Sequence, residues 1–116
     1  MSTTQVPTPA SLLSAGTGRL DITPPTGIYH RFWGAATHDR ATGVHRPLYT
    51  TALAIGEQSQ PKHPRAVLVT LDHCLLRPRD MQVLRKEAVA MAGLEQDVRV
   101  LFTWSHTHSG GHICRD

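Results

Sequence analysis

Two short apolar runs constrain the fold of this chain more than any other sequence feature. Residues 66–71 read AVLVTL and residues 98–104 read VRVLFTW. The first run is continuous, and the second is interrupted by Arg99. Runs of this length, rich in β-branched and aromatic residues, are typical of strands buried on both faces, as in parallel sheets. We therefore expect two neighbouring buried strands, and the segment between them decides how they are connected.

That intervening segment has the spacing of a helix. Apolar residues recur along it three or four positions apart, at Met81, Leu84, Ala88 and Met91. Asp80 suits the N-cap of such a helix, and Gly93 suits its C-terminal end. The order strand, helix, strand predicts one βαβ unit with a right-handed crossover. The predicted fold class is α/β, a mixed sheet with strands near 66–71 and 98–104 and a helix near 80–93.

The N-terminal half carries weaker strand signals and a long irregular stretch. Residues 16–22 alternate weakly and run into two prolines, and residues 48–55 (LYTTALAI) suit a strand. Residues 27–46 show no period, and loops of about twenty residues in compact domains are usually functional. Residues 1–15 lack the basic start and apolar core of a signal peptide, so we expect a disordered leader there and a domain over 16–116.

Composition excludes several classes of protein. A length of 116 residues suits one domain, and 40% hydrophobic residues allow only a thin core. The net charge of +3 is spread along the chain, which argues against nucleic acid as a partner. No apolar run reaches the ~18 residues of a transmembrane helix. Without a visible targeting signal the compartment is undetermined, with the cytoplasm as default, and Cys74 and Cys114 are expected to be free thiols.

Polar residues that can do chemistry follow both predicted strands. The first strand leads into Asp72 and His73, and the second leads into a segment that contains His106 and His108. In open α/β sheets, ligands bind at the carboxyl ends of the strands. We therefore expect these four side chains to lie near one another.

The spacing of His106 and His108 has a geometric meaning if the strand continues through them. Side chains two apart on a strand point to the same side, so both imidazoles would face one cavity. Two imidazoles can chelate zinc, or one can bind the metal while the other handles protons. Asp72 could orient a histidine through its second ring nitrogen, and Gly110 would let a ligand approach the backbone.

Simpler interpretations of the same residues remain open. An H-x-H pair also occurs where a polar strand end enters a glycine loop, and Asp72 also suits a turn. Exposed or loop positions suit four other histidines, which are His30, His38, His63 and His73. His112 and Cys114 could join a local cluster with His106 and His108, although the spacing matches no recognised zinc motif. Ser105 and Ser109 flank the histidines, but neither lies in a G-x-S-x-G nucleophile motif.

Four short motifs occur in an order that resembles a known family. They are LDITPP at 20–25, GVHRPLY at 43–49, LVTLD at 68–72 and SHTHSG at 105–110. Together they resemble the N-terminal part of the neutral/alkaline, non-lysosomal ceramidases over roughly residues 16–111. Two positions depart from the family pattern, because Gly111 stands where the family has proline and His73 follows the strand-end aspartate in place of a small apolar residue.

The resemblance implies a zinc-dependent amide hydrolase that cleaves ceramide into sphingosine and a fatty acid. It implies that His106 binds Zn²⁺ and that His108 lies beside the metal as a catalytic residue. We expect Asp72 to support them and His45, Ser109 and Gly110 to line the site. In the family the other ligands (a histidine, a glutamate and a tyrosine) and a catalytic serine lie farther along the sequence.

That ligand distribution sets further expectations for this chain. It would be an incomplete domain whose C-terminal segment is missing, and it would be inactive alone. The substrate would be a ceramide-like lipid amide or another small amide, since a shared fold does not determine substrate. The alternatives are a non-catalytic metal-binding or assembly module and a small structural α/β domain with incidental histidines.

Overall fold

The computed structural model describes residues 10–31 and 33–112, which form one mixed sheet with one helix. The elements are β1 (Leu13–Asp21), β2 (Tyr49–Glu57), β3 (Pro64–Leu71), α1 (Pro78–Met91) and β4 (Arg99–Trp104). The sheet order is β1-β2-β3-β4. The first two pairings are antiparallel, and β3 pairs with β4 in parallel. The predicted α/β class and mixed sheet are confirmed.

The predicted βαβ unit is present, with small differences at the helix. β3 and β4 are direct neighbours in parallel register from Ala66↔Arg99 to Leu71↔Trp104. α1 begins at Pro78, which occupies the first turn because its fixed φ and missing N–H suit that position. The sequence predicted Asp80 as the N-cap, but Asp80 lies in the first turn of α1. Its negative charge suits the positive end of the helix dipole there.

The N-terminal strand starts earlier than expected. β1 includes Leu13, Ser14 and Ala15, which fall within the predicted leader 1–15. It pairs with β2 along its whole length, from Leu13↔Glu57 to Asp21↔Tyr49. Pairing with a strand distant in sequence orders these residues, which local composition alone does not reveal. The remainder of the predicted leader, residues 1–9, lies outside the described residues.

The two faces of the sheet differ in how they are covered. Val100 and Phe102 lie two apart on β4 and so share the face of the sheet next to α1. Arg85 of α1 donates to the Val100 carbonyl and lies 5.6 Å from the Phe102 ring centroid. Val100 is 3% exposed, and it is one of two buried apolar residues among those described. On the opposite face Leu68 and Leu101 stand side by side and are 38% and 60% exposed. The core is thin, as the composition predicts.

The long segment between β1 and β2 is irregular, as expected, and folds back on itself. One isolated bridge joins Tyr29 to Arg40, and His30 N donates to Asp39 O at 2.9 Å. The segment then reaches the end of the sheet where β3 and β4 terminate. Among the described residues no helix is both long and apolar enough to cross a bilayer.

Candidate metal centre

The carboxyl ends of β3 and β4 meet through backbone hydrogen bonds. Ser105 N donates to Leu71 O at 3.0 Å, and His106 N donates to His73 O at 3.0 Å. These bonds extend the parallel pairing past the last strand residues. The prediction that the two strand ends lie side by side is confirmed, and Cys74 is thereby placed against His106.

Three side chains at this junction offer metal-ligand atoms. Cys74 Sγ lies 3.7 Å from Nε2 and 3.8 Å from Nδ1 of His106. The His106 and His108 ring centroids are 5.2 Å apart. One ligand atom from each of the three residues lies within 4.8 Å of the other two. In a tetrahedral zinc site with ordinary bond lengths, ligand atoms are about 3.3–3.6 Å apart, so a closure of roughly an ångström would complete the set.

Burial differs among the three residues and gives the group an inside and an outside. Cys74 is 4% exposed, His108 is half-buried and His106 is exposed. The Trp33 ring meets the His108 ring edge-on, with centroids 4.9 Å apart. The thiol is therefore the most buried ligand atom of the group. A further ligand, such as water or substrate, would approach from the exposed side next to His106.

The two histidines converge for a reason other than the predicted one. β4 ends at Trp104, so His106 and His108 do not lie on a strand and strand alternation does not align them. His106 instead has a φ of 59°, in the left-handed region that few non-glycine residues adopt. This turn directs the His106 ring back towards Cys74. Non-glycine residues in that region carry local strain, and such residues cluster at functional sites.

The glycines that follow pack the turn against the rest of the protein. Gly111 has a φ of 80°, and a Cβ added there would lie 2.5 Å from Ile28 Cδ1. A Cβ on Gly110 would lie 3.3 Å from the carbonyl oxygen of Asp72. The expected close approach at Gly110 is therefore to the protein's own backbone. Both glycines hold the histidine turn in place.

His73 lies in the loop that follows β3, one of the two positions expected for it, but it is buried there. It is 8% exposed, and its two ring nitrogens make no hydrogen bond within the described residues. Burial lowers the pKa of His73. The backbone of Leu75 acts in the opposite direction and raises this pKa, and nearby His112 lowers it. The imidazole packs edge-on to Trp104 at a centroid distance of 6.5 Å.

Asp72 has a structural contact that its sequence position did not reveal. Its Oδ2 accepts a hydrogen bond from Tyr49 N at 2.9 Å, and its own amide donates to Tyr49 O at 2.9 Å. This pair of bonds ties the end of β3 to the start of β2. A role for Asp72 in orienting a histidine remains a prediction.

A cleft of about 460 Å³ lies beside the metal-ligand group. Of the residues predicted to line the site, His45 and Ser109 line this cleft, whereas Gly110 is not part of its wall. Asp72, which was predicted to support the ligands, also lines the cleft. Thr107, which lies between the two histidines, also faces it, whereas the His106 and His108 side chains are not part of its wall. The cleft is enclosed largely by the long segment between β1 and β2, including His30 and His38, whose ring centroids are 4.9 Å apart.

Apart from His106 and His108, no described histidine belongs to the group. His63 Nδ1 lies 3.0 Å from Glu95 Oε1 on the surface. His112 is not among the three clustered ligands, and Cys114 lies outside the described residues. Sequence reasoning missed Cys74 as a candidate ligand. Its position, two residues after Asp72 at the end of a strand that neighbours β4, was the available signal.

No protein-family model matches the chain, and a search of curated proteins finds no similar sequence.

Proposed function

We propose that this chain is the N-terminal segment of a zinc-dependent amide hydrolase similar to the neutral/alkaline ceramidases. The observation that carries the proposal is the convergence of His106 and His108 with Cys74 at the carboxyl ends of β3 and β4. The SHTHSG motif supplies both histidines, and the order of the four motifs supports the family. The donors are imidazole and thiol, which suit zinc better than magnesium or calcium.

His106, His108 and Asp72 would have different roles, which follow from their positions. Bound zinc would polarise the amide carbonyl and activate water. His106 would hold the metal, and its exposure leaves room for the scissile amide. The half-buried His108, in edge-on contact with Trp33, would lie beside His106 as a second imidazole ligand. Asp72 would support this arrangement by keeping the ends of β2 and β3 together.

The neighbouring cleft supports binding of a small polar group next to the metal. Its volume of about 460 Å³ is within the range of small-molecule pockets. His45 and Ser109 offer hydrogen-bonding atoms at its wall, and Asp72 offers a carboxylate. We propose that the polar end of a ceramide-like lipid amide, or another small amide, binds there.

The test is hydrolysis of a short-chain fluorescent ceramide by the zinc-loaded protein as its gene produces it. We expect release of the fatty acid and loss of that activity in the His106→Ala variant. His63→Ala is the matched control, since His63 lies on the surface away from the clustered ligands. A zinc-loaded protein that hydrolyses neither ceramide nor simple amides would overturn the hydrolase proposal.

One observation favours a second function, a non-catalytic metal-binding or assembly module. Cysteine ligands are characteristic of structural zinc sites, and Cys74 is the most buried member of the group. In that case the protein would bind zinc and gain stability from it without turnover. Measuring both zinc content and hydrolysis on the same preparation separates the two functions.

A further inference from the structure

We propose that Cys74 is a metal ligand and that Cys74, His106 and His108 form a three-donor zinc site carried by this chain itself. The inference deepens the metal-binding part of the proposed function and is independent of amide hydrolysis. The family resemblance implies His106 as a ligand and includes no cysteine among the others. Cys74 is therefore an addition that only the structure supplies.

Cys74 and His106 are close enough to bind one metal ion. The contacts of 3.7 and 3.8 Å between Cys74 Sγ and the two His106 ring nitrogens are close to the ~3.5 Å expected between a thiolate and an imidazole ligand of one zinc ion. Either ring nitrogen of His106 can thus be directed at a shared metal by a small ring rotation. His108, 5.2 Å from His106 between ring centroids, then needs the larger adjustment.

The backbone holds the segments that carry the ligands in place. Cys74 lies three residues after the end of β3. The hydrogen bond from His106 N to His73 O fixes the spacing between its segment and the histidine turn. His106 adopts a φ of 59°, a conformation that a merely exposed loop histidine does not need. Gly111 leaves no room for a side chain in this turn, because an added Cβ would lie 2.5 Å from Ile28 Cδ1. The backbone conformation and this hydrogen bond therefore preorganise the ligands.

The charge and chemistry of these three side chains also suit a divalent metal ion. Binding a divalent ion would replace the thiol proton of Cys74, so that one S–H bond breaks, one S–metal bond forms and one proton is released to solvent. One thiolate and two neutral imidazoles leave a net charge of +1 and an open fourth position on the exposed side of His106. This donor set favours zinc, cobalt and cadmium over magnesium and calcium.

The test is a Co²⁺ titration of the reduced chain, followed by optical absorption. We expect a thiolate-to-cobalt charge-transfer band together with the visible bands of tetrahedral cobalt. Cys74→Ser should abolish the charge-transfer band and weaken Co²⁺ affinity by about tenfold or more, since ligand loss should cost at least as much as loss of a supporting hydrogen bond. His63→Ala is the matched control and should keep the band, because His63 pairs with Glu95 on the surface.

Two further readouts keep the inference testable if a variant fails to fold. Cadmium NMR of the unmutated chain should show the downfield shift that sulfur ligation causes, and circular dichroism reports the folding of each variant. A cobalt complex of the unmutated chain without a charge-transfer band, or a band that survives Cys74→Ser, would overturn the assignment of Cys74. A full charge-transfer band in a protein that never hydrolyses amides would support Cys74 and reject only the hydrolase.

Discussion

The amide nitrogen of His106 donates a 3.0 Å hydrogen bond to the carbonyl oxygen of His73. This contact lies beyond the last paired residues of β3 and β4, Leu71 and Trp104. It joins the segment that carries Cys74 to the turn that carries both histidines. The candidate metal centre therefore depends on backbone pairing across two strand ends, and changes to that junction are expected to alter metal binding.

Replacing the two histidines should have different consequences. We expect His106→Ala to remove most bound zinc and, with it, any hydrolysis, because His106 is the ligand closest to the Cys74 thiol. His108→Ala should also lower zinc content, but by less, because His108 needs the larger adjustment to reach a metal shared with Cys74 and His106. Metal analysis and hydrolysis rates on the same samples measure both effects. Full zinc content in His106→Ala would contradict the ligand assignment.

Gly111 should be intolerant of a side chain. Gly111→Ala would place a Cβ 2.5 Å from Ile28 Cδ1 on a residue with a φ of 80°. We expect it to lower the free energy of unfolding by about 1–3 kcal/mol, measured by urea denaturation, since non-glycine residues in the left-handed region are strained. Gly43→Ala is the matched control, because nothing lies within 4 Å of its added Cβ. Equal stability of the two variants would argue against the strained turn.

The metal-free chain should lose stability in acid through His73. Burial lowers the folded-state pKa of His73 below its ordinary value of 6.5, so the unfolded chain binds more protons as the pH falls. The stabilising effect of a neutral His73 is present above pH 6.5 and is lost progressively as the pH falls from there towards the lowered pKa. Urea denaturation across this range should show a weaker dependence in His73→Gln. An unchanged dependence would mean that other groups cause the loss.

Asp72 offers a test of structural against functional roles. Asp72→Ala removes the acceptor for Tyr49 N, and we expect a loss of about 1.5–3 kcal/mol in the free energy of unfolding, as for other hydrogen bonds to charged groups. Asp72→Asn keeps an acceptor oxygen and should restore much of that stability. If Asp72 also orients a histidine, Asp72→Asn should still lower zinc affinity; unchanged affinity would leave Asp72 with the structural role alone.

The βαβ unit was predictable from the sequence because its signals are local. Apolar runs at 66–71 and 98–104 and the helical spacing between them determine element type, and the parallel neighbours follow from the connection. The convergence of the strand ends at Asp72 and His106 follows from the same topology. Any sequence with this pattern is expected to place these polar residues at one edge of the sheet.

Only the tertiary structure decided which side chains meet at that edge. Strand alternation was expected to align His106 with His108, whereas a left-handed turn after Trp104 brings them together. Contacts between segments distant in sequence place Cys74 beside His106 and bury His73. Such contacts depend on backbone dihedrals after the strand ends and on the loop that packs against them, and neither has a periodic signature in the sequence.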